Sequence, residues 1–128
     1  MIMNIERIQK IFNATGLTVK VKPLEDYCTD NEILEGYNID GVYLTKEKRP
    51  EPSIVGDQYY DHWVVSHDVY VPGTYWEPDN YDYNEVGDFR SLYDAIAEVC
   101  RVLIQWKLDN YGECEALESM MNEPEPVW

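Results

Sequence analysis

Leu92, Ile96, Val99, Leu103 and Trp106 recur at intervals of four, three, four and three residues, the spacing that stacks side chains along one side of an α-helix. Tyr93, Cys100 and Ile104 widen that stripe. An apolar band this broad needs a flat surface to cover it, and suits a helix laid across a sheet better than a narrow coiled-coil seam. Ser91-Leu92-Tyr93-Asp94 has the form of a capping box, with Asp in place of the preferred Glu, and predicts the start of the helix. Gly112 predicts its end, and a short acidic helix over Glu113 to Met121 is expected to follow.

The strands that such a helix requires can be read upstream. Tyr59 to Val71 alternates: Trp63, Val65, Val69 and Val71 share one face with Asp61 and His67, while Tyr60, His62, Ser66, Asp68 and Tyr70 share the other. Val71-Pro72-Gly73-Thr74 suits a type II turn, and Tyr81 to Val86 reads as the next extended piece. Tyr37 to Lys46 reads as a strand or hairpin arm, and Leu17 to Lys22 as an alternating strand ended by Pro23. Two prolines in KEKRPEPSIVGD predict a polar loop. Residues 24–35 fit an acidic loop with a short helix over Asn31 to Glu35. At the N-terminus, Ile5, Ile8, Ile11 and Phe12 predict a helix over Asn4 to Thr15, with Asn4 as N-cap and Gly16 as stop. The expected class is α+β: an antiparallel sheet of three to five strands, with an N-terminal helix and a long C-terminal helix packed on one face. One domain spans residues 1–121, and residues 122–128 form a flexible acidic tail.

The chain has 128 residues, 45% of them hydrophobic and 13% aromatic, enough apolar surface for a core without disulfides or metal. Three cysteines, Cys28, Cys100 and Cys114, fit no disulfide framework, and the expected compartment is a reducing cytoplasm, the host's if the chain is phage-encoded. MIMNIERIQKIF has neither the apolar run nor the cleavage site of a signal peptide. No apolar run approaches the roughly 18 residues that span a bilayer.

The formal net charge is −15, and it is unevenly spread. Residues 50–89 hold nine acids and no Lys or Arg; residues 108–128 hold six acids and again no base. The remainder is neutral. Such a field should repel nucleic acid and anionic membranes alike. A solvated surface that aids solubility is one reading of it. A surface awaiting a positive partner is the other, because ordinary surfaces intersperse signs.

Chemical motifs are sparse. His62 and His67 are five apart, which on a strand places them on opposite faces, a poor geometry for a shared metal. Asp79-Asn80-Tyr81-Asp82-Tyr83-Asn84-Glu85 offers oxygen ligands but fails the EF-hand pattern: tyrosines stand at its third and fifth positions and the glycine is missing. No serine or cysteine sits in a nucleophile signature. No catalytic residue, metal ligand or cofactor is expected, and the chain reads as a non-enzyme.

What remains is the interleaving of acids with aromatic rings. Asp79, Asp82, Glu85 and Asp88 repeat every third residue, a period that aligns them along one edge of a polyproline-like chain. Tyr81 and Tyr83 between them have the character of exposed interface anchors. These six residues are the candidate partner-binding set. In size, in the MNIERIQKIF opening helix, and in the segment VPGTYWEPDNYDYNEVGDF leading into SLYDAI, the chain resembles small acidic inhibitors of phages and mobile elements, the anti-CRISPR and anti-restriction DNA mimics. It is also similar in look to immunity proteins that neutralise nuclease toxins. The resemblance implies an inhibitor that presents carboxylates where a basic host protein, a nuclease or another nucleic-acid-binding protein, expects phosphates. A phage or bacterial accessory or structural protein with a non-nucleic partner is the alternative, and a small-molecule binder or small enzyme using the Tyr-rich face with His62 or His67 is a further one.

Overall fold

The computed structural model describes residues 4–25, 27, 29 and 31–122. The elements follow in the order α1 (Ile5–Ala14), β1 (Val21–Pro23), β2 (Glu32–Ile39), β3 (Val42–Glu51), β4 (Gln58–Val71), β5 (Asn80–Phe89) and α2 (Leu92–Asn122). The five strands form one antiparallel sheet in chain order, β1-β2-β3-β4-β5. Both helices lie on one face of it. Their apolar stripes, Ile8 and Phe12 from α1 and Leu92, Ile96, Val99 and Leu103 from α2, bury against Tyr37, Ile39, Val42, Leu44, Trp63 and Val65 from the sheet. The α+β class, the antiparallel sheet and the one-sided helices are as the sequence predicts.

Local chemistry accounts for the ends of these elements. The Asn4 side chain accepts the Arg7 backbone N–H at 3.3 Å, capping α1, and Gly16, at φ +82°, turns the chain out of the helix. β2 and β3 meet at Asp40-Gly41, both with positive φ, the two-residue turn whose twist matches antiparallel strands. Ser91 C=O accepts the Ala95 N–H at the start of α2.

Six expectations need correction. The single arm expected over Tyr37 to Lys46 is split by the Asp40-Gly41 turn into the end of β2 and the start of β3. The strand expected over Leu17 to Lys22 shrinks to Val21–Pro23. Gln9 of α1 is the cause: its side chain donates to Val19 C=O and accepts from Val21 N–H, both at 2.9 Å, tying this segment to the helix. The helix expected over Asn31 to Glu35 is strand β2, because cross-strand pairing outweighs local preference: Glu35 lies opposite Lys46 and 3.7 Å from its ammonium. Pro50 belongs to β3. The last pairing of β2 is Glu32 with Lys48, so β3 beyond it is flanked by β4 alone and is locally an edge, where proline is tolerated. Gly73 has no positive φ, so the type II turn is absent; a Cβ there would stand 2.4 Å from Glu77 O, and the glycine serves close backbone approach. Finally, α2 runs through Gly112 without a break for 31 residues, about 46 Å at helical rise. The separate acidic helix is its last turns. Cys28 and the tail expected over residues 122–128 lie outside the described residues, apart from Asn122 at the end of α2. Among the described residues, Cys100 and Cys114 are free thiols.

No helix among the described residues is long and apolar enough to cross a membrane.

Candidate functional site: the helix-free face and the β4–β5 hairpin

Alternation along β3, β4 and β5 sends Tyr43, Thr45, Glu47 and Arg49, then His62, Val64, Ser66, Asp68 and Tyr70, then Tyr81, Tyr83, Glu85 and Asp88 to the face that the helices leave uncovered. One end of this face is an ionic network. Glu47 is fully buried. It accepts from Thr45 Oγ1 at 2.5 Å and Thr29 Oγ1 at 3.3 Å, and Arg49 Nη2 stands 3.6 Å away. The Arg49 guanidinium also reaches Glu85 at 2.5 Å and Asp88 at 3.1 Å. Burial opposes its charge, but the Glu85 hydrogen bond and the fields of Glu47, Glu85 and Asp88 outweigh burial and hold its pKa above the ordinary arginine value. His62 Nδ1 lies 2.7 Å from Asp88. Its Nε2 lies 2.9 Å from Glu51 without hydrogen-bond alignment, so that contact is an ion-pair distance only. Arg90 pairs with Glu51 and stacks 4.5 Å over the Tyr60 ring.

The other end is a projecting hairpin. Pairing of β3 with β4 stops at Val42–His67, so Asp68–Val71 and Asn80–Tyr83 continue as a two-stranded ribbon. Tyr75 and Trp76 at its tip are 92% and 87% exposed, with their rings edge to face at 4.8 Å. Asp68 accepts from Tyr43 Oη at 2.8 Å. Asp79 accepts from Tyr70 Oη and from Gly73 N–H, both at 2.6 Å, and these bonds, the tyrosine's first, hold its carboxyl below the usual range. Among the described residues no Lys or Arg pairs with Asp68, Glu77, Asp79 or Asp82.

The six sequence-predicted residues are therefore not one row. Tyr81, Tyr83, Glu85 and Asp88 share the helix-free face; a bulge opposite Val65/Ser66 shifts the alternation so that Glu85 and Asp88, three apart, point the same way. Glu85 and Asp88 are held by Arg49, Asp79 braces the turn, and Asp82 points to the opposite face. Tyr83 packs on Tyr27 and Tyr43 with ring centroids 4.7 and 5.8 Å away. Tyr81 is the more exposed of the two and meets Tyr70 edge to face. Arg49, Glu47, Asp68 and Tyr70 belong to this surface and were missed. The alternation that assigns Asp68 and Tyr70 to the Tyr60 face is the available signal for those two; Glu47 and Arg49 both fall in the segment KEKRPEPSIVGD expected as a loop.

Asp82 has a second role. β5 is an edge strand, and its Tyr81 and Tyr83 backbone N–H groups donate at 2.8 Å to the side chains of Asn80 and Asp82. These side chains cover donors that another strand could use. Replacing both by valine is expected to raise the apparent mass measured by light scattering at high protein concentration. Asp82→Asn, which removes charge but keeps the acceptor, leaves the mass unchanged. A monomer-like double variant refutes the shielding.

Tyr37 and Tyr43 have pKa values pushed up to about 12, by burial first and then by their bonds to Glu35 and Asp68. Their unfolded value is near 10. Folding thus retains protons between these limits, and the stability so contributed, complete below pH 10, is lost as pH rises through about 12. The phenolate absorbance of the folded chain should show a late-titrating fraction among its 11 tyrosines, reduced in Tyr43→Phe. A single step near pH 10 in the folded chain contradicts this.

Comparison with known proteins finds no family model, no curated protein and no solved structure that matches this chain.

Proposed function

We propose that this chain is an acidic binding protein that blocks a basic, nucleic-acid-handling partner through its projecting β4–β5 hairpin. One observation carries the reading: the hairpin leaves the sheet with Asp68, Glu77, Asp79 and Asp82, exposed Tyr70, Tyr75, Trp76 and Tyr81, and no Lys or Arg. Charge of one sign steers a basic surface into contact, and exposed Tyr and Trp supply the buried area that holds it. Glu85 and Asp88 contribute to the field but are already engaged by Arg49. The binding region thus shifts toward the hairpin tip.

The test starts from partners captured from host lysate and then purified. Binding is compared for the parent chain, for Asp68→Asn/Glu77→Gln/Asp82→Asn, and for Glu113→Gln/Glu115→Gln on α2. The hairpin variant should lose at least about tenfold in affinity, equal to about 1.4 kcal/mol, and show a shallower salt dependence. The α2 variant should change little. Equal losses point to net charge instead of this hairpin. Capture of a virion or tail component instead of a nucleic-acid-handling protein favours an accessory or structural role.

A further inference from the structure

We propose that the helix-free face of the β4–β5 hairpin recognises arginine side chains of its partner in preference to lysine. This rests on the partner-binding reading above and specifies its chemistry. The chain itself demonstrates the recognition. At the network end of the same face, a tyrosine–carboxylate surrounding is filled by an arginine of this chain: Arg90 lies over Tyr60 while pairing with Glu51. A second arginine, Arg49, shows the fork alone, bridging the carboxylates of Glu85 and Asp88 at 2.5 and 3.1 Å. On the hairpin the same residue types recur with no arginine of the described residues on them. Asp68 and Tyr43 are bonded at 2.8 Å, and Asp79 and Tyr70 at 2.6 Å. Tyr81 stands opposite Tyr70 with its ring 5.7 Å away. Tyr70 and Tyr81 are 52% and 68% exposed, so their rings are open to an incoming group.

A guanidinium is planar, weakly hydrated and forked. It can lie on a tyrosine ring and donate to a neighbouring carboxylate at once. An ammonium is a compact, strongly hydrated charge and gains less from the ring. The chain shows the contrast: Lys46, between Glu35 and Asp61 and 5.7 Å from the Trp63 centroid, keeps ion-pair distances of 3.7 and 3.8 Å. Tyr43 donates to Oδ2 of Asp68, which leaves its Oδ1 for a donor of the fork, whereas Asp79 accepts from Tyr70 on one oxygen and from Gly73 N–H on the other and offers only its remaining lone pairs.

The test uses two blocked nine-residue peptides, alternating Arg-Ser and alternating Lys-Ser, of equal charge, titrated into the full chain at the same salt concentration by calorimetry. The arginine peptide is expected to bind at least tenfold more tightly. Tyr70→Leu/Tyr81→Leu, checked for an unchanged thermal melt, should bring the arginine peptide down to the lysine peptide's affinity and leave the latter within about twofold. Asp68→Asn should weaken the arginine peptide more than the lysine peptide while preserving fold, because the amide oxygen still accepts from Tyr43. Equal affinity for both peptides in the parent chain overturns arginine selectivity and leaves the acidic-hairpin function standing. A preference that survives both variants overturns its placement on this face. Failure of both peptides to bind at physiological salt overturns both proposals.

Discussion

Leu103→Ala should destabilise the chain by about 2–5 kcal/mol, the usual cost of emptying a buried leucine site. Leu103 is 4% exposed and lies in the α2 stripe against the sheet, among Val99, Val102 and Trp63 in the single core. The sheet's other face buries a polar network, so little apolar packing elsewhere can compensate for a cavity here. Tyr111→Ala, on the exposed stretch of α2, is the control and should stay within about 0.5 kcal/mol. Urea denaturation measures both. Equal midpoints for Leu103→Ala and the parent would show that α2 does not close the core.

Arg49→Ala is expected to cost about 3 kcal/mol, because it leaves a buried carboxylate without its counter-ion. Glu47 has no exposure to water, and Arg49 is the cation nearest to it, as well as the clamp on Glu85 and Asp88. Two effects separate here. The pairs to Glu85 and Asp88 are partly exposed and screened by salt, so added salt should recover part of the loss. The Glu47 contribution should resist salt and should shrink when Glu47→Gln is combined with Arg49→Ala, since the amide keeps an acceptor for Thr45 and carries no charge. A double-mutant cycle gives this coupling. Additive losses from the two changes would mean that Glu47 and Arg49 are not energetically paired.

Periodicity carried most of the architecture. The β4 alternation, the Asn4-capped first helix and the Leu92, Ile96, Val99 and Leu103 stripe of α2 depend on side-chain spacing within one element, and each is present as read. The breadth of that stripe is not: Tyr93, Ile104 and Trp106 are exposed, and Ala95 and Val102 are buried in their place. Failures came where a distant segment supplied the deciding interaction. Gln9 holds Val19 C=O and Val21 N–H against α1, so the strand begins only at Val21; Lys46 draws Glu35 into a sheet; Pro50 is accommodated because β2 has already ended. Asp40-Gly41 is a turn signal legible in the sequence, and it divides β2 from β3. Gly112 misled because a glycine in an exposed helix costs only about 1 kcal/mol and need not end it.

Charge shows the division most sharply. The acid-rich, base-free stretches, and the field they impose on any partner, are properties of composition along the chain and were visible without coordinates. Which acids remain open to a partner was not. Arg49 and Arg90 border the stretch of residues 50–89, and pairing across antiparallel strands returns them onto Glu85, Asp88 and Glu51. The β5 bulge then turns Glu85 and Asp88 toward the same face while Asp82 turns away. Helix and strand periods are local geometry. Ion pairing depends on distance in space, which strand register and one extra residue in a ladder can set only after the chain has folded.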